Sequence, residues 1–142
     1  FWGDEFLGEI ESTVELDLEP TSSKVLAIHQ LQERPVLLST SRHITQGAVD
    51  IKKLTWDEKR TTLEGKSQNL RRGEYTLVVW VPPGYKFTRA VTAVDYETTT
   101  ISQSIVKVTL KLGKDKPLAW KLQFERTVRS IEPRQNVNPA AS

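Results

Sequence analysis

Apolar and polar positions alternate with a period of two along most of the chain, and no stretch of a dozen residues keeps apolar side chains at i, i+3, i+4 and i+7. Alternation at that period sends successive side chains to opposite faces of an extended backbone, so the chain reads as all-β. The cleanest case sets Val14, Leu16 and Leu18 against Glu15, Asp17 and Glu19, with Pro20-Thr21-Ser22-Ser23 as the stop. Residues 24–30 then resume as a second strand. Toward the other end, Val106, Val108, Leu110 and Leu112 face one way and Lys107, Thr109 and Lys111 the other. A turn at 113–117 leads to Leu118, Trp120, Leu122 and Phe124 alternating with Ala119, Lys121, Gln123 and Glu125, and the two segments read as a hairpin. Between these lie 36–41, 48–56, 61–67, 75–81 and 87–94, separated by turn-like clusters at 57–60, 71–74 and 82–84. About eight to ten short strands at this spacing predict a two-sheet antiparallel β-sandwich.

Half-buried strands of that kind offer one apolar row to a shared core and one polar row to water. The acidic row of Glu15, Asp17 and Glu19 and the basic row of Lys107 and Lys111 are expected as solvated faces on neighbouring strands. Trp56, two residues after Leu54, and Trp120, within the Leu118, Leu122 and Phe124 row, are expected in the core. The sandwich is expected to occupy residues 1–129. Residues 130–142, rich in Pro, Asn, Gln and Ala, read as a tail or linker.

Composition narrows the functional classes. The chain has 142 residues, no cysteine and no methionine, and 20 basic against 18 acidic side chains. Without cysteine there is no disulfide scaffold, thiolate metal site or cysteine nucleophile. A chain without methionine that opens Phe1-Trp2-Gly3 is expected to be a piece of a longer protein. Neither a leader pattern nor an apolar run of membrane-spanning length is present in it. The formal charge of +2, with signs interspersed, gives no footprint for nucleic acid or for a membrane surface. Two histidines, His29 and His43, and the absence of HxH, HExxH, GxSxG and GxxxxGK[ST] spacings leave metalloenzyme, serine hydrolase and P-loop readings unsupported. The expectation is a non-enzyme without a cofactor. Carboxylates and loop carbonyls leave a structural calcium open, although scattered Asp and Glu do not make a regularly spaced calcium loop.

One strand departs from the half-buried rule. In Tyr75-Thr76-Leu77-Val78-Val79-Trp80-Val81 both rows carry apolar residues, so whichever row enters the core, the other must be covered by a loop, another domain or a ligand. Pro82-Pro83-Gly84-Tyr85-Lys86-Phe87 follows and adds two aromatic rings beside a stiff turn. Flat rings on a rigid sheet suit sugar recognition, because the apolar face of a pyranose stacks on a ring while its hydroxyls bond nearby polar groups. Trp80, Tyr85 and Phe87, with Trp2 at the chain start, are the candidate stacking residues. Arg42, His43 and Gln46, in the polar segment 39–47, are candidate hydrogen-bonding partners, or else satisfy loop carbonyls.

The opening Phe1-Trp2-Gly3-Asp4-Glu5-Phe6-Leu7-Gly8, then Leu16-Asp17-Leu18-Glu19-Pro20, then Lys24-Val25-Leu26-Ala27-Ile28-His29 resembles the C-terminal β-sandwich domain that follows the catalytic barrel of α-galactosidase-like glycoside hydrolases. The resemblance extends to residues 39–47 and more weakly to Trp56 and 75–84. It implies a secreted, extracellular sandwich appended to a carbohydrate-active enzyme, and it carries over no catalytic residue, since those belong to the barrel. Two functions are therefore expected in competition. One is a non-catalytic carbohydrate-binding module that holds an attached glycosidase against polysaccharide. The other is a structural accessory domain that packs on the catalytic barrel and binds no sugar.

Overall fold

The computed structural model describes residues 6–24, 26, 28–42 and 50–127. The chain divides into two compact units, Phe1–Gln30 and Leu31–Ser142, and all eight strands lie in the second. The protein is all-β, with no helix among the described residues. The strands are β1 (Val36–Thr40), β2 (Ile51–Asp57), β3 (Thr62–Ser67), β4 (Gly73–Trp80), β5 (Tyr85–Thr92), β6 (Asp95–Ser102), β7 (Ile105–Leu112) and β8 (Leu118–Arg126). They form two four-stranded antiparallel sheets, ordered β1-β4-β7-β6 and β2-β3-β8-β5. The expected two-sheet β-sandwich is what the chain folds into.

The core is built from the alternating rows. Tyr75, Leu77 and Val79 of β4 and Val108, Leu110 and Leu112 of β7 come from one sheet, and Leu63 of β3 and Leu118, Trp120, Leu122 and Phe124 of β8 from the other. The turns are local chemistry. At 57–60 the Asp57 carboxylate accepts from the backbone N–H of Lys59 (3.0 Å) and Arg60 (3.1 Å), which closes the β2–β3 hairpin. At 82–85 the Tyr85 N–H donates to the Pro82 carbonyl (3.2 Å), with Pro83 at the second position and Gly84 at φ +95° in the third. This is a type II turn, and its third position needs the positive φ that glycine adopts without strain.

Four expectations are corrected. Residues 14–18 and 24–30 were expected as strands, yet no described residue among them is one; Val14 is 38% exposed, Leu18 59% and Ile28 82%. Alternation supplies a face but not a partner, and a lone extended segment leaves its backbone groups to water. The predicted stop after them is real, since Ser22 donates to the Glu19 carbonyl through both its N–H (3.1 Å) and its hydroxyl (2.6 Å). Second, 106–112 and 118–125 are strands but not a hairpin: β7 pairs with β4 and β6, and β8 with β3 and β5. Their apolar rows face one another through the core, so the turn at 113–117 crosses between sheets. Third, β6 was not expected. All its residues are exposed, and Asp95-Tyr96-Glu97-Thr98-Thr99-Thr100 has no apolar row to read, so its β-formers act through pairing with β7. Fourth, the acid facing the Lys107 and Lys111 row belongs to β6, where Glu97 pairs with Lys111.

Candidate functional site: a cleft at one end of the sandwich

At the end of the sandwich where β2, β4 and β8 finish and β5 begins, an open cleft of about 790 Å³ lies among Gln32, Arg34, Glu58, Trp80, Tyr85 and Arg126, with the Pro82-Pro83-Gly84 turn as part of its wall. Each residue arrives by a separate route. Gln32 and Arg34 come from the segment entering β1, and the Arg34 side chain donates to Gln32 Oε1 (2.8 Å). Glu58 sits in the Asp57 turn. Tyr85 and Arg126 are direct cross-strand partners in the β5–β8 register, and the Thr127 N–H donates to the Gly84 carbonyl (2.9 Å), fastening the end of β8 to the turn.

Tyr85 joins the cleft to an aromatic cluster. Trp56 meets Tyr85 edge-to-face at 5.8 Å and lies 6.0 Å from Phe124, which in turn meets Phe87 at 5.7 Å. Charged groups sit around it. The Arg34 guanidinium lies 6.0 Å from the Trp56 ring centre and that of Arg126 lies 5.7 Å from the Tyr85 ring, both within cation–π range. Glu58 links the two halves, because one oxygen accepts from Trp56 Nε1 (2.6 Å) and the other from Arg126. The result is a rim of fixed donors and acceptors around half-buried rings.

Trp80 contributes differently from what was expected of it. It is only 3% exposed, so it is no exposed stacking platform, and the expectation of an outward ring is corrected. In the register Trp80 stands directly opposite Ile105, which is itself fully buried, while Val78 in the same row is half-buried. The indole still lines the cleft, and its Nε1–H is buried without a hydrogen-bond partner. An orphan donor of this kind costs about 1–3 kcal/mol unless something accepts from it.

Of the seven residues expected to bind ligand, the structure brings Trp80 and Tyr85 together. Phe87 is half-buried and packs on Phe124 instead of entering the cleft. Arg42 lies at the far end of β1, half-buried, with its guanidinium donating to the Arg71 carbonyl (3.3 Å). Trp2, His43 and Gln46 fall outside the described residues. Sequence reasoning missed Arg34, Glu58 and Arg126, since each looks like an ordinary turn or strand-end charge until the β5–β8 pairing is known. Among the described residues no group of three or more His, Cys, Asp or Glu is placed to hold a metal ion. Comparison with known protein families, curated proteins and solved structures finds no match to this chain.

Proposed function

We propose that this chain is a non-catalytic carbohydrate-binding module, with the cleft as its binding site and an attached glycoside hydrolase, acting on polysaccharide outside the cell, as its working partner. The observation that carries the reading is the open cleft in which the half-buried Tyr85 ring stands among Gln32, Arg34, Glu58 and Arg126. A pyranose offers an apolar face for an aromatic ring and hydroxyls that both accept and donate, which matches the Tyr85 ring flanked by guanidinium groups and a carboxylate. The resemblance to enzyme-appended sandwiches points to the same ligand class. Held by such a module, an enzyme would meet its substrate at a raised effective concentration. The burial of Trp80 takes the outward row of β4 away from both readings, as a stacking platform and as a docking face, so the module reading is carried by Tyr85 and the charged rim of the cleft.

Calorimetry and affinity electrophoresis against a panel of soluble polysaccharides test the reading. Binding to at least one polysaccharide is expected. Tyr85→Ala should weaken that binding by about 1–2 kcal/mol while near-ultraviolet circular dichroism shows the fold retained. No retardation and no heat on any polysaccharide would overturn the proposal.

A further inference from the structure

Independently of the cleft, the molecule carries two halves of a β-pairing that are both unused among the described residues. One half is an edge. β2 ends its sheet, residues 52–55 along it are exposed, and Leu54 points toward the core side beside Gly65 yet remains 42% exposed. On the opposite face Lys53 stands directly across from Lys66. None of Lys52, Lys53 and Lys66 takes part in an ion pair among the described residues, and like charges set opposite one another in a sheet repel. The other half is the segment 13–19, Thr13-Val14-Glu15-Leu16-Asp17-Leu18-Glu19, which alternates apolar and acidic residues, pairs with no strand and ends at a proline.

We propose that residues 13–19 of one chain add as an antiparallel fifth strand to the β2 edge of a second copy. Setting Leu16 opposite Leu54 places Val14 opposite Trp56 on the core side and Asp17 opposite Lys53 on the outer side. Thr13 then falls opposite Asp57. The parallel alternative would set Glu19 against Asp57, acid on acid, so charge selects the antiparallel arrangement. Pro20, which has no N–H to donate, ends the pairing where β2 begins. The other three edges fit less well. β6 presents Asp95 and Glu97 to an acidic donor; the Lys86 and Arg89 row of β5 is already engaged with Glu125 and Gln123; and β1 carries no charge. A second copy is the occupant because the acidic, alternating segment and the lysine-bearing β2 edge are complementary in charge, and among the described residues neither is assigned a further strand partner. The contact joins two different surfaces, so it closes as a dimer where two copies exchange their segments and otherwise runs head-to-tail.

Sedimentation velocity of the full chain tests this. The mean mass should rise with concentration above that of the monomer and fall with added salt. Lys53→Glu and Asp17→Lys should each weaken association roughly tenfold. Mixing these two variants should restore it, because the basic donor of one then meets the acidic acceptor of the other. A chain that stays monomeric at every concentration overturns the proposal, as does association unchanged in both variants. Monomers whose amides at 14–18 resist hydrogen exchange would show pairing within one chain and overturn the second-copy arrangement.

Discussion

The two buried tryptophans mark the two ends of the sandwich, and they are treated in opposite ways. Trp120 donates its Nε1–H to Ser67 Oγ (2.9 Å), the first link in a relay through the Tyr75 hydroxyl (2.9 Å from Ser67) to Asp50 Oδ2 (2.7 Å), where the Thr40 hydroxyl also donates (2.5 Å). Tyr75 gives its one proton to Asp50, so Ser67 must donate to Tyr75, and the indole N–H and each hydroxyl of the relay have partners. Trp80, five residues from Tyr75 and so about 17 Å farther along β4, has none for its N–H. A satisfied buried network fixes a fold, whereas an unsatisfied buried donor costs stability. One end of this sandwich is a holding end with its buried indole donor met, and the other leaves its buried indole donor unmet.

The holding end should break most severely at Gly65. This residue lies in register with Trp120, and a Cβ there would come within 2.2 Å of the indole ring. Neither β3 nor the ring has room to move, because Leu63 and Leu122 pack beside them in the core. Gly65→Ala should therefore cost about 3 kcal/mol or more, read from the shift of the urea midpoint, with no comparable change in ligand affinity once the fold is present. Asp50→Ala comes next. It strands the Thr40 and Tyr75 hydroxyls together and should cost about 2 kcal/mol.

Tyr75 sharpens the comparison through pH. Burial pushes its hydroxyl well above the ordinary value of 10.0, and the neighbouring Asp50 adds to the rise. Above pH 10 the unfolded chain gives up this proton while the folded chain keeps it, so the unfolded state binds fewer protons and stability falls as pH climbs. The slope from one such group approaches about 1.4 kcal/mol per pH unit, and the contribution is fully present below pH 10. Tyr75→Phe should cost about 1 kcal/mol at neutral pH and lose this alkaline slope, measured by urea denaturation at several pH values with the wild-type chain alongside.

How much of this was legible in the sequence differs element by element. Seven of the eight strands overlap segments that the sequence marks as strands, and β4, β7 and β8 stand out because their apolar rows supply most of the core. Residues 14–18 alternate more cleanly than any of them and form no strand, because pattern specifies a face while pairing needs a neighbour of matching register. β6 is the converse, a strand without a pattern, made by its partner. The relay was invisible for the same reason: Thr40, Asp50, Ser67, Tyr75 and Trp120 come from segments far apart in the chain, and only the sheet order brings them together. In the cleft, Tyr85 was readable from its place after the Pro82-Pro83-Gly84 turn. Arg126 was not, since its meeting with Tyr85 depends on the non-local register of β5 with β8.

The smallest expected effect on stability is also the one that most directly separates the two ends. Trp80→Phe and Trp120→Phe remove the same ring volume from buried positions, so their difference isolates what the two indole N–H groups do. At Trp120 the substitution takes a donor from Ser67 and should cost about 2 kcal/mol. At Trp80 it deletes a donor that had no acceptor, and relief from that unsatisfied group should offset much of the lost packing, leaving a change within about 1 kcal/mol. Ligand affinity should run the other way, falling in Trp80→Phe and holding in Trp120→Phe. Equal stability losses at the two positions, measured in the same urea titration, would mean that the Trp80 N–H is as well satisfied as that of Trp120 and that the two ends are not built differently.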